Sequence, residues 1–408
     1  MPETATLSPG QLALQRFWST LSVRLATWAL VAVVLVAIYA PFLASEVALV
    51  WVDGGGLRLP LIADLFNRGS YERAHDLLFS LLALLLPVLL LGWWLLRRRW
   101  TAGRRLTVGA ALLVGLWLAA MWLPIGAGWR TLWDYRPASP CTSTAVASAR
   151  PADLAFALFA PVPHRVSATY PGVNLAAPGA VNPATKARFW IGADVSGRDV
   201  MATMLFGARI SLTIGLVATG LSLLIGVIIG AVSGYVGGVV DLLLQRLVEI
   251  MMCFPTFILV LTVVAMTSRS IFIIMLVLGL TGWAGTARLV RGEFLAQTVR
   301  DYVVAAEALG MTRWRIMFRH ILPNTMAPLI ITGTFGIAGA VLTESGLAFI
   351  GLGDPTSPSW GLLLNEGREN INYAWLIYAP GLAVFVLVTC LNLIGNGLRD
   401  AFDPKSER

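Results

Sequence analysis

The chain has 408 residues, of which 57% are hydrophobic and only 13% are charged, and its formal net charge is +8. A soluble protein of this length would carry about twice that share of charged residues to cover its surface. Apolar runs of about 20 residues, which is the length that a helix needs to cross a bilayer, recur along the sequence. The composition therefore excludes a soluble globular protein and predicts an all-α, polytopic helical membrane protein.

The net positive charge is almost entirely arginine, because Lys186 and Lys405 are the only lysines. Much of it lies in short loops beside apolar runs, where arginine sets the orientation of a membrane protein. A nucleic-acid-binding protein would instead carry a basic face on a soluble domain. The three cysteines and three histidines are scattered and show no metal-ligand spacing. We therefore predict no nucleic-acid partner, no metal site and no cofactor on this chain.

Eight candidate transmembrane spans follow in chain order, and the loops between them predict the topology. With the N-terminus inside, loop 97–105, with five arginines, and loop 291–324, with five more, both lie in the cytoplasm. Both loops thus agree with the rule that short basic loops stay on the cytoplasmic side. This topology places both termini in the cytoplasm of a bacterial inner-membrane protein. The predicted spans are 25–44, 77–96, 106–124, 210–233, 247–267, 271–290, 325–350 and 375–397.

The sequence divides into three predicted regions. Residues 1–124 hold the first span and two additional spans, 77–96 and 106–124, whose role the sequence does not indicate. Residues 125–209 form an outside segment rich in proline, alanine and glycine, and its weak apolar periodicity predicts an irregular loop without a core of its own. Residues 210–403 contain the last five spans, and Pro255 within one of them predicts a kink.

The most informative segment lies in the cytoplasmic loop, between residues 301 and 324. Its alanines favour helix, Gly310 can adopt the left-handed conformation that turns the chain, and Pro323 ends the second helical part. Apolar residues and arginines follow Gly310 in an amphipathic pattern. The segment is therefore predicted to be a two-helix projection that a soluble partner contacts or, alternatively, a basic helix that anchors the loop at the membrane surface.

The alanine, glycine and proline spacing of this segment resembles the EAA loop of binding-protein-dependent ABC importer permeases. In that family the loop forms coupling helices that dock into a cleft of the ATPase subunit. Val304 stands where the family motif has a glutamate, and Glu307 is out of register, so a role for that carboxylate is not carried over. The residues to which the resemblance assigns ATPase coupling are Ala305, Ala306, Gly310, Met311, Arg313, Trp314, Arg319, Leu322 and Pro323.

Four further stretches resemble dipeptide and oligopeptide permeases of the same family, in the same order along the chain. Residues 191–212 resemble the approach to a span, and the pairing of Asp194 with Arg198 is predicted there. The resemblance covers about 190–403, is greatest to the C-type subunit of this group and implies a type I, MetI-like permease core. The remaining three stretches are 234–255, 342–353 and 358–368.

Four residues in these stretches are further predicted site residues. A carboxylate within an apolar run is costly unless it faces the bundle interior or a water-filled path. We therefore predict that Glu344, and with it Glu249, lies on the translocation path or at a subunit interface. Trp360 is predicted to be an interfacial aromatic residue. The resemblance implies that the loop with Trp360 and Gly361 faces the binding protein.

The resemblance implies a transport subunit of an ATP-driven importer of peptides or similar small solutes. The sequence has no phosphate-binding loop with its lysine. ATP and magnesium are therefore expected on separate subunits, and no catalytic residues are predicted on this chain. The implied partners are a second permease subunit in a heterodimer, two ABC ATPase subunits, a periplasmic solute-binding protein and membrane lipid.

Two alternatives stay open at this point. A secondary transporter driven by an ion gradient would need several buried carboxylates near mid-membrane and broken spans in matching halves. An intramembrane enzyme would need polar residues clustered at one membrane face, which the long loop 125–209 could contain.

Overall fold

A computed structural model of the chain describes residues 9–53, 56–66, 74–96, 102–122, 142, 154–183 and 185–402. Over these residues the chain is mostly helical with one small sheet, which confirms the predicted all-α polytopic class. The arginines at 97–99 and Lys405, on which part of the predicted topology depends, lie outside the described residues, as does most of the stretch 123–153.

Helices alternate with three short strands in the first part of the described chain, whereas the second part is helical. The first part contains α1 (Pro9–Ser19), α2 (Leu21–Leu43), β1 (Val50–Asp53), β2 (Gly56–Arg58), α3 (Pro60–Asp64), α4 (Ala74–Leu95), α5 (Ala102–Trp122) and β3 (Leu154–Leu158). The second part contains α6 (Val200–Val236), α7 (Gly238–Cys253), α8 (Thr256–Met266), α9 (Ile271–Thr298), α10 (Asp301–Ala308), α11 (Arg313–Arg315), a π-helical turn (Ile316–Ile321), α12 (Leu322–Asn324), α13 (Met326–Phe349), α14 (Trp360–Glu369) and α15 (Trp375–Phe402).

Six helices among the described residues are long and apolar enough to cross a membrane, and there are seven spans if the bent pair α7–α8 counts as one. The prediction of a full span at 106–124 is not confirmed, because the apolar part of α5, Thr107–Met121, is shorter than the roughly 20 residues that a crossing needs. The predicted spans that correspond to the six long helices are 25–44, 77–96, 210–233, 271–290, 325–350 and 375–397.

Pro255 separates α7 from α8, and the two helices are bent by 76° at this break. Proline has no backbone N–H and its ring obstructs the preceding helical turn, so α7 ends and a new helix begins after it. The predicted kink is thus confirmed, but the prediction of one span at 247–267 is wrong in its bounds. Helix α7 begins at Gly238, directly after the chain turns through Gly237 and Gly238 with φ of 66° and 58°.

The chain forms two compact units. The first unit consists of Met1–Ala32, Ser211–Ser357 and Gly381–Arg408, and the second consists of Val33–Ile210 and Pro358–Pro380.

Glycines spaced four residues apart bring α6 into backbone contact with α9 in the first unit. A Cβ atom on Gly226 would lie 2.6 Å from the Cβ of Thr286, and one on Gly230 would lie 2.5 Å from the carbonyl oxygen of Ala287. Gly234 continues the stripe one turn further. Two helices in lipid gain little from the hydrophobic effect, so close van der Waals packing through small residues is what holds them together.

An ion pair fixes α7 against α9 in the same unit. The guanidinium of Arg291 donates to both carboxylate oxygens of Asp241, at 2.6 and 2.7 Å. This two-point geometry orients both side chains, because the planar guanidinium matches a carboxylate with two parallel hydrogen bonds. The end of α9 from which the 301–324 segment departs is thereby tied to α7.

The second unit corrects the prediction that 125–209 is an irregular loop throughout. Strand β3 pairs antiparallel with β1, with Trp51 opposite Ala157, and the sheet order is β2-β1-β3. Ala157 packs toward buried Trp51, whereas Phe156 is exposed on the other face. Leucine and phenylalanine alternate with alanine over 154–158, which is a strand period that the proline and glycine content of the segment obscured.

The same segment also buries a small core around His164. Its Nδ1 lies 2.6 Å from a carboxylate oxygen of Asp199 and its Nε2 lies 3.1 Å from the hydroxyl of Thr185. The imidazole stacks on Phe189, at 4.7 Å between ring centroids, with Tyr170 at its edge. Both nitrogens of this fully buried ring therefore have partners, which is what makes its burial tolerable.

A buried arginine near the start of α6 compensates a break in α2. Pro41 lies inside α2 and has no N–H, so the carbonyl of Ala37, four residues earlier, receives no helical hydrogen bond. Arg209 Nε donates to that carbonyl at 2.6 Å, and another of its nitrogens donates to the carbonyl of Ile38 at 3.1 Å. A third nitrogen lies 3.4 Å from the carboxylate of Asp76. The two aromatic rings that flank the guanidinium, each at 5.1 Å, are Phe79 and Phe206.

Candidate functional site: the 301–324 segment, a hydroxyl-lined cavity and the 191–199 cluster

The turn at Gly310 has the geometry that explains the alanine–glycine spacing of the 301–324 segment. Gly310 has φ of 71°, in the left-handed region that favours glycine, directly after α10. The N–H of Met311 donates to the carbonyl of Ala306 at 3.2 Å, and that of Gly310 donates to the carbonyl of Glu307 at 2.9 Å. This pair of bonds is the Schellman motif, which satisfies the last carbonyls of a helix and requires glycine at its turning position. The predicted break at Gly310 is confirmed.

The predicted coupling residues divide into two groups by burial. Ala306 is buried, and Met311 and Leu322 pack against the same core, which also contains residues of α6, α9 and α13. These residues fix the segment to the first unit. The predicted coupling residues that are exposed are Ala305, Gly310, Arg313, Trp314, Arg319 and Pro323.

The exposed face of the segment is apolar and basic at once. Trp314 is 63% exposed, Leu309 is 76% exposed and Val304 is 56% exposed. Trp314 is nevertheless held in one orientation, because its ring stacks on Phe318 one helical turn later, with 5.2 Å between centroids. Large exposed apolar side chains on a rigid support are uncommon on a surface that meets only water, and they mark sites of protein contact.

Glu307, the glutamate nearest to the motif position 304, is held by a hydrogen bond. Its carboxylate accepts a hydrogen bond from the hydroxyl of Tyr235, near the end of α6, at 2.8 Å. This bond links the first part of the segment to a membrane helix. Val304, at the motif position itself, presents an apolar side chain to the exterior.

A cavity of about 400 Å³ lies between helices α6, α8, α9 and α13 of the first unit. Its wall is rich in hydroxyl groups and glycine, and none of the described residues that line it is charged. Hydroxyls inside a helix bundle can each donate and accept a hydrogen bond without the desolvation cost of a charge. Sequence reasoning did not single out these hydroxyls, because serine and threonine are unremarkable in apolar helices. They belong to Thr219, Ser222, Thr256, Thr286, Thr332 and Thr343.

Neither of the two predicted pathway carboxylates is among the described residues that line this cavity. Glu344 is buried in the first unit, which agrees with the prediction that this carboxylate faces the bundle interior. Its neighbour in sequence, Thr343, lines the cavity. Glu249 is exposed on α7 and pairs with Arg246 at 2.6 Å. For both residues the role on a pathway or at a subunit interface stays a prediction.

Residues 191–199 form a compact cluster in the second unit. Asp194 accepts backbone N–H bonds from Ser196 and Arg198, both at 2.8 Å, and pairs with the Arg198 side chain at 2.6 Å, as predicted. A Cβ atom on Gly197, which has φ of 77°, would lie 2.5 Å from the carbonyl oxygen of Tyr170. Asp199 then accepts from the N–H of residue 201 at 2.7 Å and so caps the start of α6. The motif residues are thus explained by local geometry.

This cluster is tied to α14 by a buried carboxylate. Arg198 donates to Glu366 at 3.0 Å, and the other oxygen of Glu366 is buried without a hydrogen-bond partner among the described residues. Burial first, and then the nearby carboxylate of Asp194, raise the pKa of Glu366 to about 7, although the Arg198 guanidinium acts in the opposite direction. Glu366 therefore changes its charge near neutral pH.

The prediction of Trp360 as an interfacial aromatic residue is wrong, because the side chain is only 3% exposed. Its indole N–H donates to the carbonyl of Met204 at 2.9 Å, and its ring occupies the space where a Cβ of Gly207 would be. Gly361 is buried as well. Trp360 and Gly361 thus fasten α14 inside the second unit, and the binding-protein contact predicted for this loop would fall to its exposed neighbours.

Residues 226–408 match the family described as binding-protein-dependent transport system inner membrane component. The dipeptide transport system permease protein DppC of Alkalihalophilus pseudofirmus is 35% identical to this chain over 221 residues, which are 54% of this chain and 73% of the relative. The chain belongs to this family. Two further relatives match a similar share of this chain. The oligopeptide transport system permease protein OppC of Haemophilus influenzae is 39% identical over 55% of this chain and 72% of the relative. The glutathione transport system permease protein GsiD of Pectobacterium atrosepticum is 34% identical over 55% of this chain and 75% of the relative.

The chain is therefore a permease subunit of an ABC importer, embedded in the inner membrane by several spans. As such it works with ATPase and substrate-binding partners. The matched range contains the 301–324 segment and begins at residue 226, so α4 and α5 lie outside it.

Proposed function

We propose that this permease imports peptides or similar small solutes and that ATPase subunits dock on the exposed face of the 301–324 segment. The observation that carries the proposal is the construction of that segment. A turn anchored by buried Ala306 and half-buried Met311 supports exposed Leu309 and Trp314 beside three exposed arginines. Rigidly held tryptophan and arginine side chains are typical energetic anchors of protein interfaces.

The proposed topology places both termini and the 301–324 segment in the cytoplasm. The five arginines between 291 and 319 support this orientation, because short basic loops stay inside. In this arrangement ATP and magnesium act on two ATPase subunits, a second permease subunit completes the pathway as a heterodimer, and a periplasmic protein delivers the solute.

Two observations support peptides as the solute. The names of the relatives given above denote dipeptide, oligopeptide and glutathione transport, and each of these solutes contains peptide bonds. The cavity in the first unit offers hydroxyl groups and no charge among its described lining residues. Such a wall can donate hydrogen bonds to peptide groups and accept hydrogen bonds from them. Because it carries no charge among its described residues, it does not select solutes by the charge of their side chains.

The proposal is tested by uptake into liposomes that contain this chain with its co-expressed permease, ATPase and binding-protein partners. A labelled dipeptide should enter only when ATP is supplied, and dissipating ion gradients should not stop it. Thr332→Val, in the cavity wall, should lower uptake several-fold, whereas Thr334→Val, two residues away and outside this cavity, should not. Uptake that follows an ion gradient without ATP would establish a secondary transporter instead.

A further inference from the structure

Helices α4 and α5 enclose a cleft that the importer function leaves unexplained. It has a volume of about 420 Å³, within the range of about 300–1,000 Å³ that is usual for small-molecule sites. Its walls are apolar side chains and glycines of both helices, and among the described lining residues Arg105 alone is charged. We refer to this space as the hairpin cleft. Its wall includes Val88, Leu89, Trp93, Val108, Leu112 and Leu113.

The polar end of the hairpin cleft is organised around Arg105. One nitrogen of the guanidinium donates to the carbonyl of Trp93 at 3.0 Å, close to the end of α4, where helical carbonyls lack partners. The guanidinium also lies over the indole ring of Trp93, at 4.3 Å from its centroid. These two contacts fix the side chain at the cleft. The Nε of Arg105, however, is buried and meets no acceptor among the described residues, so one donor is ready for a ligand.

The sequence next to Arg105 favours an anionic ligand. The stretch 97–105 contains five arginines and no acidic residue. A planar guanidinium binds phosphate oxygens through two parallel hydrogen bonds, which makes arginine the preferred residue for phosphate recognition. Basic pockets between apolar helices at a membrane surface are suited to the head groups of acidic lipids.

The apolar part of the hairpin cleft has the length of a lipid tail segment. Arg105 and Leu113 are eight residues apart on α5, which at 1.5 Å per residue is about 12 Å along the helix. One leaflet contributes about 15 Å of hydrocarbon. The flanks are also exposed and apolar, since Leu90, Leu91 and Leu116 face outward from the same two helices. The surroundings of the cleft are thus those of a bilayer interior.

From this geometry we propose that the hairpin cleft is a binding site for an anionic phospholipid, with the phosphate on Arg105 and one acyl chain between α4 and α5. Neither the uptake function nor ATPase docking depends on this site. The role of the two additional helices would then include recognition of the lipid that surrounds the transporter.

The test compares phosphatidylglycerol with phosphatidylcholine of the same acyl chains, by native mass spectrometry of the detergent-purified full-length chain with its co-purifying subunits. Phosphatidylglycerol should bind the unmodified protein at least about fivefold better, because it brings a net negative charge to Arg105. Arg105→Gln should reduce this binding roughly tenfold, since the charge-assisted hydrogen bond from Nε and the positive charge are both lost. Arg104→Gln removes the same charge from the exposed neighbour outside the cleft and should reduce it less than about twofold.

A second pair of variants tests the acyl chain site. A Cβ on Gly109, which lines the cleft, would lie 3.9 Å from the nearest side-chain atom, Leu89 Cδ2, so the backbone accepts a side chain there and Gly109→Leu occupies part of the cleft. Gly115→Leu, on the same helix and with nothing within 4 Å of its Cβ, is the matched control. Both changes raise helix propensity, so neither should impair folding. We expect Gly109→Leu to reduce binding several-fold and Gly115→Leu to leave it unchanged.

Three results would overturn the proposal. Equal losses for Arg105→Gln and Arg104→Gln would show general surface attraction and no site. Equal behaviour of Gly109→Leu and Gly115→Leu would show that no acyl chain occupies the cleft. Cross-linking from Val108 to another protein subunit, with lipid binding unaffected by either cleft variant, would show that a protein helix is the occupant.

Discussion

Replacing Arg209 with methionine should destabilise the protein by about 3–5 kcal/mol, which is the usual cost of removing one partner from a buried charged network. Methionine keeps much of the apolar volume but leaves the carbonyls of Ala37 and Ile38 and the carboxylate of Asp76 without their donor. Hydrogen bonds to a charged group contribute about 1.5–3 kcal/mol each, so losing two or three of them gives a penalty of this size. Repacking of the two flanking aromatic rings cannot replace the lost donors.

The cost is measured on the full-length chain in detergent, by thermal unfolding followed through tryptophan fluorescence. Arg165→Met is the control, because Arg165 is partly exposed and its distance of 3.7 Å from Asp64 is too long for a hydrogen bond, so its loss should cost less. Pro41→Ala restores an N–H toward the Ala37 carbonyl, so the Arg209→Met penalty should shrink by about 1 kcal/mol in that background. If Arg209→Met costs no more than Arg165→Met, the assignment of Arg209 as the compensating donor is refuted.

Two other predictions concern packing and pH. Gly230→Ala should destabilise the first unit by about 1–3 kcal/mol, because its Cβ would lie 2.5 Å from a backbone carbonyl that cannot move aside. The control Gly292→Ala, whose Cβ would have nothing within 4 Å, should be neutral or stabilising. Equal unfolding temperatures of the two variants would contradict the close packing of α6 and α9. Because the pKa of Glu366 is raised to about 7, the neutral form suits the folded state, so its contribution is fully present below about pH 4.5 and is lost as the pH rises through 7. Glu366→Gln should therefore have the same melting temperature as the unmodified protein at pH 5 and a higher one at pH 8. A difference in melting temperature that is the same at both pH values would show that Glu366 does not titrate between them.

Much of the architecture could be predicted from sequence because each decisive feature is local. Apolar runs of the required length locate six long helices. Pro255 must interrupt a helix wherever it stands in one, and Gly310 marks a turn because few other residues adopt a positive φ. The Asp194–Arg198 pair was likewise predictable from a four-residue separation in a polar turn.

The features that sequence reasoning missed depend on partners far apart in the chain. Arg209 lies in the stretch 191–212, whose sequence does not indicate the bonds of this arginine to α2, more than 170 residues away. The hydroxyl-lined cavity draws on four helices, none of which is distinctive alone. Trp360 was placed at a membrane interface by its residue type, whereas the glycine at 207 provides the space that buries it. Burial against a distant glycine leaves no local signal.

The central claim, that the exposed face of the 301–324 segment binds an ATPase subunit, is tested most directly by co-purification. The chain is expressed with its genomic neighbours, solubilised in detergent and isolated through an affinity tag, and the recovered ATPase is quantified. We predict that the ATPase accompanies the unmodified chain and that Trp314→Ala reduces its recovery at least tenfold, as expected for an interface anchor worth about 2 kcal/mol. Phe349→Ala, an exposed apolar residue at the far end of α13, should leave recovery unchanged. Undiminished recovery with Trp314→Ala and Leu309→Asp combined, or a chain that purifies alone and takes up solute under an ion gradient, would contradict the account.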